Sequence, residues 1–211
     1  LIMSFEKKIK FYKNYSHLFL SISLVGFVFI IWDIIATIRN DWSFNTKYIL
    51  GIKFFHLPLE EILFFVTVPF ASIFLYETAK SYLPESKINF PRNLSIIISL
   101  IAVTISIVYY KQYYTFTVMI FVSIFFLINY FTKNYLLSSN IYWIWILFTY
   151  LPFFVVNYIL TSLPIVSYSS NAIWNIRIIT IPLEDFFYSF SLLSFNLFFY
   201  KLFKEKCPRK K

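Results

Sequence analysis

The chain has 211 residues, of which 59% are hydrophobic and 24% aromatic, with only 14% charged, against about 25% charged in a soluble domain. Its mean hydropathy of +0.70 excludes an ordinary soluble globule and points to an all-α, polytopic helical membrane protein. The net charge of +9 does not mark a nucleic-acid binder. Six of the nineteen Lys and Arg lie in the last eleven residues and four in the first thirteen, where basic clusters set topology and meet anionic lipid.

Read from the start, Leu1-Ile2-Met3-Ser4-Phe5 resembles the end of a hydrophobic segment, so one further helix is expected before it. Six spans follow, each near the roughly 20 residues that cross a hydrocarbon core of about 30 Å. The first, His17 to Ile38, carries Trp32-Asp33 near one end. The second, Leu57 to Ala79, opens on Pro58-Leu59-Glu60-Glu61 and runs into Phe64 and Phe65. Leu94 to Tyr110 is short and ends at a tight Lys111-Gln112 turn; Tyr113 to Phe131 follows it directly. The fifth, Ile141 to Thr161, carries Asn157, and the sixth, Ile181 to Phe203, opens on Pro182-Leu183-Glu184-Asp185-Phe186-Phe187-Tyr188.

A single offset of 124 positions links the halves without a gap. It carries Pro58-Leu59-Glu60-Glu61 onto Pro182-Leu183-Glu184-Asp185, Asp33 onto Asn157, Thr37 onto Thr161, Lys53 onto Arg177 and Tyr76 onto Tyr200. The expected organisation is a first repeat over 1–79 that lacks its N-terminal helix, a linker helix over 80–112, and a second repeat over 113–211 with a basic tail. An odd linker helix leaves the two repeats parallel rather than inverted. Taken alternately, one side collects fourteen Lys and Arg and the other five, so the first side, with the C-terminus, is expected in the cytoplasm of a multi-pass cell-membrane protein. Asp33, Asn157, Glu60, Glu61, Glu184 and Asp185 then fall at similar depth in the opposite leaflet.

Ionisable groups at such positions mark function by default. A plain capping role also exists, because proline suits a helix start and acidic residues suit its first turn. Recurrence at matched depth favours acid–base chemistry, in which neighbouring carboxyls in unequal surroundings divide the roles of acid and base. Glu60 and Glu184 are the expected inward pair, with Glu61 and Asp185 as partners and Asp33 and Asn157 supporting them. Lys53 and Arg177 are expected to balance charge or meet lipid headgroups. Phe64, Phe65, Phe186, Phe187, Tyr188 and Trp32 are candidates to line a cavity and stabilise a cation, although Trp32, Trp42, Tyr76 and Tyr200 also suit an interfacial belt. Cys207 is the lone cysteine, His17 and His56 are the only histidines, and Gly26 and Gly51 the only glycines. No metal site is therefore expected, and no glycine-rich fingerprint for flavin or NAD.

These residues resemble the integral-membrane lycopene cyclases, which occur as two small bacterial subunits, one fused chain, or a fungal domain fused to phytoene synthase. The likeness rests on Trp32-Asp33, Gly51-Ile52, Leu57 to Phe65, Asn157 to Thr161, Pro164, Val166, Tyr168, Arg177 and Ile181 to Tyr188, and covers essentially the whole chain. It implies a redox-neutral, cofactor-free closure of the ψ end groups of lycopene. An acid protonates the terminal double bond, a neighbouring alkene captures the cation, and proton loss leaves a β-ionone ring, giving β-carotene through γ-carotene. The implied partners are lycopene, related carotenoids and lipid, with association with other carotenoid enzymes a further expectation. Formation of ε rings, cyclisation of fifty-carbon carotenoids, and a non-enzymatic proton-moving carrier or assembly subunit stay open as alternatives. A retinal protein does not fit, because Lys201 lies at the end of the last span, and a prenyltransferase does not fit without an Asp-rich magnesium motif.

Overall fold

The computed structural model describes residues 6, 8–133 and 135–206. The segment Leu1–Phe5, on which the expectation of a preceding helix rested, lies outside the described residues, as do Lys7 and the tail from Cys207 onward. Among the described residues, six helices carry the fold: α1 Tyr15–Arg39, α2 Leu59–Tyr82, α3 Arg92–Val108, α4 Tyr113–Phe131, α5 Asn140–Ser162 and α6 Leu183–Lys206, with a short 3-10 turn at Phe11–Asn14 before α1. Five are long and apolar enough to cross a membrane, and α3, at 17 residues, is shorter. The protein is thus an all-α, polytopic membrane protein.

Most helix surfaces facing outward are apolar, as lipid contact requires, and small or polar side chains are turned inward. On α3, Ser95, Ser99, Ala102 and Ser106 form the buried stripe. Ser99 and Ser123 of α4 are 2.8 Å apart through their hydroxyls, the close approach that small residues permit between membrane helices. Elsewhere α1 packs on α6, α2 on both α5 and α6, and α4 on α6.

The connections at one end of the bundle are ordered by backbone pairing. Strand β1 (Trp42–Phe44) pairs antiparallel with β4 (Val166–Tyr168), Ser43 opposite Ser167. Positions 43 and 167 are 124 residues apart, so the pairing is self-complementary about that point. Two tight hairpins precede α2 and α6: β2 (Lys53–Phe54) with β3 (Leu57–Pro58), and β5 (Arg177–Ile178) with β6 (Ile181–Pro182). Gly51 at φ +82° and its equivalent Asn175 at φ 62° enter the hairpins through the left-handed region, which glycine and asparagine tolerate best. Leu59 N–H donates to the Ile52 carbonyl and Leu183 N–H to that of Ile176, each at 2.9 Å. Both α2 and α6 are 24 residues long and begin 124 positions apart. Pro58 precedes α2 as its N-cap instead of occupying the first turn.

At the opposite end, Glu77 of α2 accepts hydrogen bonds from Tyr200 Oη and Lys204 Nζ of α6, both at 2.7 Å. Tyr200 and Tyr76 are therefore not belt residues; both are buried, and Tyr76 packs edge-on against Trp145 at 5.9 Å. Glu77→Ala leaves the buried Tyr200 hydroxyl without its acceptor and is expected to cost about 1–3 kcal/mol, read as a lowered thermal unfolding midpoint in detergent.

Candidate active site

A cavity of about 430 Å³ lies between α1, α2, α4, α5 and α6, near the hairpin end, and three carboxyl side chains line it: Asp33, Glu61 and Asp185. Asp33 is delivered by α1, nearly two turns before its end, and is buried. Its Oδ1 accepts the Trp42 indole N–H at 2.9 Å and the Thr37 hydroxyl at 3.4 Å. Glu61, in the first turn of α2, lies within hydrogen-bonding reach of Asp33 and close enough to Asp185 to feel its charge. Two carboxyls can hydrogen-bond to each other only with a proton between them.

Asp185 sits differently. Tyr114 Oη of α4 donates to its Oδ1 at 2.8 Å, and Tyr168 Oη of β4 donates to its Oδ2 at 2.9 Å. Burial, with Asp185 beside it, pushes the Tyr168 hydroxyl well above its ordinary value, so Tyr168 remains a donor throughout the physiological range. The two phenol rings stack at 5.9 Å and 6°. Trp42 packs against Tyr114 at 4.9 Å, and Tyr188 completes the aromatic wall 6.3 Å from Tyr114. One side of this cavity is a carboxyl that accepts two phenol hydrogen bonds; the other is a carboxyl pair; between them are aromatic faces.

The expected order within each acidic doublet is reversed. Glu60 and Glu184 do not line the cavity. Glu60 Oε1 accepts the Leu50 N–H at 2.6 Å, and Glu184 Oε1 accepts the Trp174 N–H at 2.6 Å. Those donors are again 124 positions apart, so the two glutamates tie equivalent loops to the starts of equivalent helices. Glu184 also accepts the Thr115 hydroxyl at 2.7 Å. The second oxygen of each, Oε2, is buried with no hydrogen-bond partner among the described residues. The reversal has a geometric cause: consecutive helix residues differ by about 100° in direction, and only the second acid of each doublet lines the cavity, while Glu184 is buried toward Thr115 of α4.

Asn157, the equivalent of Asp33, lines the cavity and donates from Nδ2 to the Phe153 carbonyl at 3.0 Å. Lys53 and Arg177 are exposed in the hairpins and do not line the cavity, although the Arg177 guanidinium lies 5.9 Å over the ring of Tyr168. Arg177 donates to the Thr180 carbonyl at 2.8 Å. Of the aromatic candidates, Phe64 and Tyr188 line the cavity. Phe65 is buried beside Phe64, Phe187 packs on Trp174, and Phe186 packs on Phe153 and Phe154 outside the lining. Trp32 stands behind the wall, 5.1 Å from Tyr188. Tyr114 and Trp42 carry no sequence signal of a site, Trp42 reading as a belt residue, and Tyr168 enters only through the family likeness. None belongs to an acidic motif, and their partners are distant in sequence. The one legible signal was that Trp42 and Tyr168 lie at equivalent loop positions, two residues off the repeat offset.

The family model described as Lycopene cyclase matches residues 1–79 and 110–203. No curated protein and no solved structure matches the chain. With that match spanning most of a helical bundle built around a carboxyl-rich, aromatic-walled cavity, the chain belongs to the lycopene cyclase family and is a membrane-embedded carotenoid cyclase.

Proposed function

We propose that the protein is a lycopene β-cyclase in which Glu61, paired with Asp33, is the general acid and Asp185 the base. The observation that carries this reading is the meeting of Asp33, Glu61 and Asp185, from three helices, in one aromatic-walled cavity. The Asp33–Glu61 pair supplies a proton to the terminal double bond of the ψ end group. The cation so formed is captured by the alkene five carbons along, closing a six-membered ring. Trp42, Tyr114 and Tyr188 present π faces to a charge that offers no hydrogen-bonding group. Asp185 then removes a ring proton, giving the β double bond, and the proton returns to the acid pair through the site. One proton enters and one leaves, so substrate and product are isomers and the scheme consumes no cofactor.

In this scheme Tyr114 and Tyr168 are positioning residues that hold Asp185 ionised and correctly aimed. Glu60 and Glu184 are positioning residues for the hairpins that carry the motif. Tyr168→Phe removes one donor from the carboxylate and is expected to slow ring formation about tenfold, since a hydrogen bond to a charged group contributes about 1.5–3 kcal/mol.

The protein is further assigned to the cytoplasmic membrane with its C-terminus in the cytoplasm, on the bias of Lys and Arg between the two faces. Residues 1–79 and 113–211 form two parallel repeats in this reading, joined by a linker over 80–112. Expression in a lycopene-accumulating bacterium, followed by chromatography of the pigments, tests the activity. β-Carotene and γ-carotene are the expected products. ε-Ring or fifty-carbon products would place the chain with the other cyclases of its family, and unchanged lycopene would favour a proton-moving carrier.

A further inference from the structure

The cavity is not closed at its sides. Ala71 of α2 and Pro152 and Val156 of α5 both line it and are exposed on the outer surface of the bundle. They frame a gap between α2 and α5 that joins the cavity to the lipid-facing side. Measured along the helices, Val156 lies about 9 Å from the hairpin end and Ala71 about 18 Å, at 1.5 Å per residue. The gap therefore opens near the middle of a core about 30 Å thick.

The equivalent place on the other repeat is shut. The residues 124 positions from Ala71 and Val156 are Phe195 and Trp32, on α6 and α1, and each is only 6% exposed. Phe121 of α4 stacks on Trp32 at 5.1 Å and meets Phe195 edge-on at 6.2 Å. Two small side chains on one side thus stand where two large aromatic ones seal the other. Both helices of the open side also carry an internal proline, Pro69 and Pro152. Each lies ten residues from the hairpin end of its helix, and each removes a backbone hydrogen bond there. Their equivalents, Leu193 and Val28, remove none.

We propose that this gap is a one-sided portal through which a long linear polyene slides in from the bilayer, so that one end group reaches the carboxyls while the far end stays in lipid. The proposal rests on the cyclase reading above. The lengths support it. From Glu61 to Leu75, the reach of the lining along α2 is about 21 Å at 1.5 Å per residue. A forty-carbon polyene is about as long as the core is thick, about 30 Å, so the cavity holds about two-thirds of it. With a single portal and carboxyls at one end only, a second ring requires the monocyclic product to leave, reverse and re-enter.

The test uses the full chain in vesicles containing lycopene. Placing the aromatic residues of the sealed side into the gap, as the double variant Ala71→Phe and Val156→Trp, is expected to slow ring formation by about tenfold or more, as crowding of an apolar pocket does. Val155→Trp, one position away on the outward face, is expected to stay within about twofold of the unaltered chain. In the unaltered chain, monocyclic carotene is expected to accumulate before bicyclic product, and a chase of unlabelled monocyclic carotene should dilute label out of the bicyclic product. An active unaltered chain with an equally fast, folded double variant overturns the portal alone. Bicyclic product formed without exchange with the chase overturns it too, even where the double variant fails to fold. A chain that closes no ring overturns the cyclase reading and the portal with it.

Discussion

Glu61→Gln is expected to lower ring formation by about 10²- to 10⁴-fold, the span a positioned acid contributes, while the protein stays folded and membrane-inserted. Glutamine keeps the size and hydrogen-bonding reach of the side chain but has no proton to give to carbon. Asp33 also lines the cavity, held by Trp42 and Thr37, yet in this scheme the proton between the two carboxyls is delivered by Glu61. Initial rates in membranes, normalised to folded protein, check the expectation; a rate near that of the unaltered chain would remove Glu61 from the role of acid.

Asp185→Asn should be as damaging, for a different reason. Tyr114 and Tyr168 both donate toward this side chain, and an amide presents one donor group where two acceptor oxygens were needed. The variant loses both the base and the anion that faces the cation. Deuterated water separates the two lesions. With the acid intact and the base missing, the protonated end group can only return its proton to the acid, so recovered lycopene should carry deuterium at its terminal alkene. Glu61→Gln should recover lycopene without label. Label in the Glu61 variant and none in the Asp185 variant would exchange the two roles.

How much of this was legible in the sequence varied with range. Span positions, the short third helix and the matched halves were readable because hydrophobic length and a fixed offset are local properties. Which acid of each doublet turns inward was not readable, because it depends on where a helix starts and how it is rotated. Here the first acid of each doublet is captured by the N–H groups of Leu50 and Trp174, in the loops that lead into the hairpins. Trp42 and Tyr168 were unreadable as site residues because the strand pairing that brings them over the carboxyls joins segments 126 residues apart. Tyr76 and Tyr200 resembled belt residues because aromatic residues near span ends usually are; their burial comes from Trp145 and Glu77, on other parts of the bundle.

The most direct measurement compares two double variants, Glu60→Gln with Glu184→Gln and Glu61→Gln with Asp185→Asn, for ring formation per folded molecule in lycopene-containing membranes. Glu60 and Glu184 each keep one buried oxygen without a partner, so the comparison is a fair contest between neighbours in the chain. Chemistry at the cavity carboxyls predicts that the first pair still makes cyclic carotenoid, within about tenfold of the unaltered chain, since glutamine preserves the loop-holding acceptor, and that the second makes none. Cyclic product from the second pair, with none from the first, would contradict it.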